Sequence, residues 1–147
     1  EMSASLVGSE MCIRDRFDTV ECYRHVEHIV AKRQDVLLLE CMSNLLANEM
    51  YLEPDSNAGS DMAETMSPVS NKIVQALIDL STRVQELVIV TNDVFSDGGS
   101  LTYDESTREY VKNLAEINCA LAWEAATVTE VVCGIPVIVK KNHPMGK

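Results

Sequence analysis

Two short, continuous apolar runs constrain the fold of this chain more than any other feature. They are VLLL at residues 36–39 and LVIV at residues 87–90, and each follows a segment whose apolar residues recur at helical spacing. Runs of this length without alternation are typical of strands covered on both faces, as in a parallel sheet. The repeated order of helix and buried strand predicts an α/β domain with three layers and a mostly parallel sheet.

The other elements follow from hydrophobic periodicity and turn residues. Apolar residues at helical spacing predict four helices, over residues 20–32, 42–50, 69–84 and 104–125. Near the C-terminus, EVVCGIPVIVKK predicts two strands joined by a tight turn at Gly134. Two polar segments with glycine or proline are predicted to be loops. They are residues 53–68 and 95–106.

Composition limits the classes of function. The chain has 147 residues, which suits one domain, and its formal charge of −11 repels a polyanion, so no nucleic-acid partner is expected. No apolar run reaches the roughly 18 to 20 residues of a membrane span, and no secretory signal is present, so a cytoplasmic protein is expected. Five cysteines form no C-x-x-C pair and are predicted to be reduced and buried.

Polar residues follow both apolar runs at the point where each predicted strand ends. Glu40 follows the first, and Thr91, Asn92 and Asp93 follow the second. In parallel α/β sheets ligands bind beyond the carboxyl ends of the strands, so we expect both groups to face one crevice. An acid in that position can hold Mg²⁺ or its waters at a nucleotide site, which makes Glu40 the candidate metal ligand. A solvated strand end explains Glu40 equally well and explains Asp93 somewhat better than a site does.

Three further positions have competing explanations. Asn118 lies on the apolar stripe of its predicted helix, where a hydrogen bond to neighbouring backbone is a simpler role than ligand contact. Glu21 stands at the start of the first predicted helix, where an acid favours the positive end of the helix dipole. His25 and His28 have i, i+3 spacing but no third metal ligand nearby. The sequence contains neither G-x-x-x-x-G-K-[ST] nor G-x-G-x-x-G.

Five segments, in order, resemble one enzyme family over residues 17–141. They are VECYRHVEHIV, VLLLECMSNLLANEM, LVIVTNDV, NLAEINCALA and EVVCGIPVIVK. The family is the bifunctional adenosylcobinamide kinase/adenosylcobinamide-phosphate guanylyltransferase of cobalamin biosynthesis. The resemblance implies a P-loop-type α/β domain that phosphorylates adenosylcobinamide with ATP or GTP. It also implies transfer of GMP from GTP to the resulting phosphate through a guanylated histidine, with Mg²⁺ assisting. Members tend to assemble, so a homo-oligomer is expected.

The resemblance also assigns roles to individual positions. Glu21 and Glu40 match family acids that contact guanine nucleotide. Other positions that match residues of the family's crevice are Asn48, Thr91, Asn92, Asp93 and Asn118. Asp93 stands where the family usually has Glu, which keeps the charge on a shorter side chain, and Pro136 replaces a more usual Gly.

Two family features have no counterpart in the sequence. The phosphate loop GGxxSGKS and the guanylated histidine both lie upstream of the block that begins here at Phe17, and His25 matches a different histidine. No catalytic residue is therefore assigned within this chain. The segment SEMCIRDR resembles translated sequencing-adapter DNA. Residues 1–16 are therefore predicted to be a non-native leader in place of about 50 residues, the usual length of a strand, P-loop, helix and second strand.

This interpretation predicts that residues 17–147 are the C-terminal part of one domain. Loss of the P-loop strand should expose strand edges and apolar surface, and the chain alone should not catalyse either reaction. Two alternatives stay open. One is another P-loop-type nucleotide kinase that shares only the sheet. The other is a native, non-catalytic nucleotide-binding or interaction module, which predicts nucleotide binding by this chain.

Overall fold

A computed structural model describes residues 17–52, 66–94 and 103–141, and its elements confirm a mixed α/β chain. The predicted leader and the centres of both predicted loops lie outside the described residues. The helices are α1 (Met42–Tyr51), α2 (Pro68–Arg83) and α3 (Glu105–Glu124). The strands are β1 (Val36–Leu39), β2 (Glu86–Ile89), β3 (Thr127–Val132) and β4 (Ile135–Lys141). None of these helices is long and apolar enough to cross a membrane.

The predicted parallel pairing is confirmed for β1 and β2. Val36 is opposite Glu86, and the register continues to Leu39 opposite Ile89. Beyond the strands the Val90 N–H donates to the Leu39 carbonyl at 2.9 Å. The carboxyl ends of both strands therefore meet at one edge, where α1 begins.

The prediction that both faces of these strands are covered is wrong for the part of the chain that the structure describes. Alternate residues differ in exposure: Leu37 and Leu87 pack against the helical core, whereas Val36, Leu38 and Val88 are 51%, 48% and 41% exposed. The core contains buried residues of all three helices, so the helices cover the same sheet face. Two layers are present among the described residues, and the continuous apolar run reflects a second face that remains open.

The starts of α2 and α3 follow from their capping residues. The Ser67 side chain accepts a hydrogen bond from the Ser70 N–H, and Pro68 occupies the first turn of α2. The Asp104 carboxylate accepts from the Thr107 N–H at 2.7 Å and starts α3. Both caps satisfy donors that the first helical turn leaves free, and proline lacks the donor that this turn cannot use. The predicted helices 69–84 and 104–125 are thereby confirmed to within a residue.

The predicted helix over residues 20–32 is wrong. This segment is irregular apart from a 3₁₀ turn at Val26–His28. Val26 is buried, but Val20, Tyr23 and Val30 are exposed, so the helical spacing of apolar residues does not mark a buried face. β-branched residues lower helix propensity here, and His25 in a left-handed conformation blocks continuation of a helix. No helix begins at Glu21, so the predicted interaction of its carboxylate with a helix dipole is absent.

The two predicted C-terminal strands are confirmed, but they form a separate antiparallel sheet. Their turn places Cys133 and Gly134 at positive φ, which glycine adopts without steric cost. Ile135, Val137 and Ile138 are exposed, so among the described residues the hairpin has little apolar cover. The Lys140 ammonium donates to the Ala122 and Trp123 carbonyls and ties the hairpin to the C-terminus of α3.

The prediction that the cysteines are buried is wrong for two of the four described. All four are free thiols, and Cys22 and Cys41 are half-buried. Cys119 and Cys133 are exposed because one lies on the outer side of α3 and the other in the hairpin turn. Burial, together with the negative charges of Glu27 and Glu49, raises the pKa of the Cys22 thiol.

Candidate functional site

Residues that follow β2 meet a side chain of α3 at the carboxyl edge of the parallel strands. The Thr91 hydroxyl donates to Asn118 Oδ1 at 2.7 Å, and Asn118 Nδ2 donates to the Asn92 carbonyl at 3.2 Å. The structure thus brings together three residues that the sequence placed in a crevice. The interpretation of Asn118 as a residue that holds neighbouring backbone is confirmed. This role fixes the chain immediately beyond β2 and leaves the site exposed.

The start of α1 completes this group of residues. The Met42 N–H donates to the Val90 carbonyl at 3.1 Å, and the Ser43 hydroxyl lies 3.5 Å from Asn92 Oδ1 and 3.1 Å from Cys41 Sγ. Tyr110 of α3 donates to the Ser43 carbonyl at 3.2 Å. Sequence reasoning missed Ser43, although its position three residues after Glu40 was a usable signal. We call Ser43, Thr91, Asn92 and Asn118 the strand-end cluster.

Glu40, Asp93 and Asn48 occupy different positions relative to the strand-end cluster. Glu40 directly follows β1, and Asp93 follows Asn92. Both acids are exposed, and both follow the carboxyl ends of the parallel strands. Asn48 lies further along α1, about 9 Å from Met42 along the helix axis at 1.5 Å per residue. Along the chain the two acids thus lie beside members of the cluster, whereas Asn48 lies about two helical turns away from the start of α1.

Glu21 lies in the irregular segment before the 3₁₀ turn. Its carboxylate accepts a hydrogen bond from the Tyr23 hydroxyl at 2.9 Å. This bond and the negative charge of Glu21 raise the pKa of Tyr23. The contacts that fix this segment run to the C-terminal end of α1 and to α2, since Arg24 donates to the Leu52 carbonyl at 2.6 Å.

Sequence reasoning also missed an ionic cluster beneath this segment. The Glu49 side chain is only 3% exposed; it accepts from the His25 N–H at 2.7 Å and from Lys72 Nζ at 3.0 Å. Lys72 Nζ also lies 3.3 Å from His25 Nδ1. A usable signal was that Glu49 continues the buried stripe of Met42, Leu45 and Leu46. A charge on such a stripe requires partners.

The His25 ring contacts a second acid, Glu27, at 3.2 Å from Nδ1 to Oε1. Burial acts to raise the pKa of Glu27, but hydrogen bonds from its backbone and from His25, with the charge of Lys72, outweigh burial and lower it. The His25 and His28 rings stack with centroids 5.7 Å apart. These contacts give both histidines roles within the segment itself.

The donor set at the strand edge determines which metal it suits. In the described ranges no group of three or more His, Cys, Asp or Glu side chains converges. A structural zinc or calcium site needs more protein ligands than this. Mg²⁺ at nucleotide sites needs only one or two carboxylates, because phosphates and water supply the other ligands. Glu40 and Asp93 beside the hydroxyl and amide oxygens of the cluster fit that smaller requirement.

An apolar depression of about 500 Å³ lies elsewhere, along α3. Its lining consists of Met66, Ala115, Glu116, Cys119, Ala120 and Trp123. None of the strand-end residues borders it, and Glu116 is its one ionisable acid. The depression therefore lacks the polar groups that a nucleotide requires, and the strand edge remains the candidate site.

Comparison with protein-family models matches residues 13–139 to the family described as cobinamide kinase / cobinamide phosphate guanyltransferase. The matched range covers well over half of the chain and includes every candidate residue named above. It also overlaps the last four residues of the predicted leader. No curated protein matches the chain at a significant level.

Proposed function

Because this chain belongs to the cobinamide kinase / cobinamide phosphate guanyltransferase family of cobalamin biosynthesis, we propose that its strand-end cluster serves both reactions of that family. The first is phosphorylation of adenosylcobinamide by ATP or GTP. The second is transfer of GMP from GTP to adenosylcobinamide phosphate. Both are phosphoryl-type transfers, in which the protein acts mainly by positioning the reactants and neutralising charge.

The observation that carries this proposal is the convergence of polar groups at the carboxyl edge of two parallel strands. Thr91 and Asn118 are joined at 2.7 Å, and the chain at Asn92 is held from α1 and α3. Ligands of parallel α/β sheets bind at this edge. The backbone at this edge is fixed by hydrogen bonds, and it carries a hydroxyl, an amide and two acids. These groups supply donors and acceptors for a nucleotide without requiring a rearrangement.

Glu21 and Glu40 are proposed to recognise guanine. An ionised carboxylate accepts hydrogen bonds only, and guanine offers two adjacent donors, the N1–H and the exocyclic amino group. Adenine has an acceptor at N1, so a carboxylate disfavours it. Both acids keep accessible positions, Glu21 in the irregular segment and Glu40 directly after β1. Recognition by these acids favours GTP over ATP at this site.

In a separate binding mode, Glu40 and Asp93 are proposed to hold Mg²⁺ together with nucleotide phosphates, because one carboxylate cannot contact both the guanine base and the phosphate-bound ion of the same nucleotide. When bound, the ion neutralises charge on the phosphates. The carboxylate of Glu40 can approach the ion directly or through water, and the Thr91 hydroxyl can accept from a bound water. The exposure of Glu40 leaves room for the water ligands that Mg²⁺ retains.

The phosphate loop and the guanylated histidine are proposed to come from an N-terminal unit that precedes residue 17 in the complete enzyme. Supporting this, Val36, Leu38 and Val88 form an apolar sheet face open among the described residues, and β2 pairs with β1 alone there. A strand and helix beside β2 would bury this face and bring a phosphate loop to the edge where the cluster lies. This chain alone should then bind guanine weakly and catalyse neither reaction.

Substitution of Glu40 tests the proposed site. Glu40→Gln replaces an acceptor of the guanine donors by an amide, so the saturation-transfer NMR signal of guanosine should fall about tenfold, the value of a charge-assisted hydrogen bond. Glu86→Gln is the matched control, because Glu86 is an exposed acid at the opposite end of the same sheet. Equal guanosine binding by both variants would contradict the proposal.

The alternatives give different results in the same titration. The family match argues against an unrelated P-loop nucleotide kinase. Such a kinase is also expected to bind both adenosine and guanosine. A native nucleotide-binding module requires contacts to phosphate, so GTP should bind it far more tightly than guanosine. In a titration without Mg²⁺, the proposal expects similar affinities for the two, since the phosphate loop is absent from this sequence.

A further inference from the structure

Glu49 is a buried carboxylate whose partners include the backbone of the segment that carries Glu21. Its Oε1 accepts the His25 N–H at 2.7 Å, and its Oε2 accepts from Lys72 Nζ at 3.0 Å. Arg24 Nε lies 3.9 Å from the same Oε2. A buried carboxylate is costly unless it is paired and hydrogen-bonded. Glu49 thus favours the arrangement in which residues 24 and 25 approach α1 and α2.

His25 adopts φ 57° and ψ 50°, a left-handed conformation that is unfavourable for residues other than glycine and a few others. Such a conformation persists only when surrounding contacts require it. The hydrogen bond from the His25 N–H to Glu49 is one such contact. A second lies one residue earlier, where Arg24 donates to the Leu52 carbonyl at 2.6 Å. The turn at His25 is therefore held from the C-terminal end of α1.

Glu21 precedes this turn by four residues, with no helix or strand between them. The direction in which the backbone leaves the turn consequently determines where Glu21 lies. We propose that Glu49 is a positioning residue of the nucleotide site, which fixes the left-handed turn at His25 and thereby the position of the guanine-binding acid Glu21. This inference rests on the proposed function. Lys72 balances the charge of Glu49 and orients its carboxylate through the 3.0 Å contact to Oε2.

The test compares Glu49→Gln with Glu116→Gln in the 147-residue chain. Glu116 is a matched control, because its partly buried carboxylate also accepts a backbone N–H, that of Ser67 at 3.0 Å, at a distance from Glu21 in the fold. Amide exchange over residues 21–27 should accelerate about tenfold in Glu49→Gln, and the dissociation constant for guanosine should rise about tenfold. The control should leave both unchanged.

A rescue variant separates positioning from a merely structural role. In Glu49→Gln/His25→Gly, glycine adopts the left-handed turn without steric cost, so guanosine binding should recover to within about threefold of the original chain. A role of Glu49 in core stability alone predicts no recovery. If Glu49→Gln abolishes the helical circular dichroism, His25→Val tests the turn without altering the core, because a β-branched residue strongly disfavours positive φ. It should weaken guanosine binding as Glu49→Gln does.

The outcomes distinguish the two levels of the proposal. If the original chain binds guanosine and both Glu49→Gln and His25→Val bind it equally well, the positioning role alone is overturned. Recovery in the double variant would support it. Absence of guanosine binding by the original chain would overturn the proposed nucleotide site, and the positioning role with it.

Discussion

At the scale of single residues, the polar side chains of this protein hold backbone as well as offering ligand contacts. Asn118 bridges the Thr91 hydroxyl and the Asn92 carbonyl, and Glu49 binds the His25 N–H. Asn113 is buried, and its Oδ1 has no hydrogen-bond partner in the described part of the chain. The sequence identified Asn118 because an amide on an apolar stripe requires partners. Asn113 and Glu49 lie on comparable stripes and were missed.

Removal of the Asn118 amide should loosen the strand exit. Asn118→Ala removes both of its hydrogen bonds, so amide exchange at residues 91–93 should accelerate about tenfold, as expected for two partly exposed hydrogen bonds. Hydrogen exchange measured by mass spectrometry or NMR checks this result. Asn44→Ala is the control, because Asn44 is an exposed asparagine of α1. Unchanged exchange at residues 91–93 would show that Asn118 does not hold this backbone.

At the scale of elements, the sequence predicted correctly those helices and strands whose local signals agree. It failed for segments whose conformation is determined by contacts with residues distant in the chain. VLLL and the stripe after it predict β1 and α1 because the strand run and the helical spacing follow one another directly. Residues 20–32 carry helical spacing too, but contacts from Arg24 and His25 to α1 stabilise an irregular segment instead. No local sequence pattern predicts that β3 and β4 form a sheet separate from β1 and β2. Strand pairing of this kind depends on residues that are distant in the sequence.

The N-cap of α3 gives this helix a pH dependence. Hydrogen bonds from the Thr107 backbone N–H, then from the Thr107 and Ser106 side chains, lower the pKa of Asp104 below its usual 3.8. A lowered pKa in the folded state contributes stability that is full above the unfolded value and is lost as the pH falls through the folded value. Asp104→Ala should therefore lower the midpoint of helical circular dichroism at neutral pH.

The difference between Asp104→Ala and the original chain should shrink at an acidic pH below the folded-state pKa of Asp104, because the carboxylate of the original chain is then protonated. Thermal scans at the two pH values measure this difference. Asp79→Ala serves as the control, because Asp79 is an exposed acid inside α2 and not at its start. An Asp104→Ala difference of the same size at both pH values would contradict a role for the ionised carboxylate in capping.

At the scale of the whole molecule, apolar surface is the dominant feature. The described residues expose one face of the parallel pair and much of the hairpin, including Leu38, Ile135 and Ile138, and Trp123 is 82% exposed. Large exposed apolar patches normally mark an interface. An isolated two-stranded hairpin is also marginally stable. Among the described residues the three helices share one core, and the two sheets are not joined by a common strand.

We therefore expect the purified 147-residue chain to be only marginally soluble and to unfold over a broad temperature range or without a transition. Exposed apolar faces favour association, and two small sheets give little cooperativity. Differential scanning calorimetry combined with light scattering measures both properties. A sharp, cooperative melt of a soluble monomer would contradict the idea that a further unit completes this fold.

The central claim is that this chain is part of a cobinamide kinase / cobinamide phosphate guanyltransferase whose phosphate loop lies upstream of residue 17. Genomic reads from an independent isolate that span the junction between residues 16 and 17 test it most directly. We predict that residues 1–16 are not encoded there, and that the frame continues upstream through a histidine codon to a GGxxSGKS motif. An encoded leader, directly preceded by a start codon and without that motif, would contradict the account.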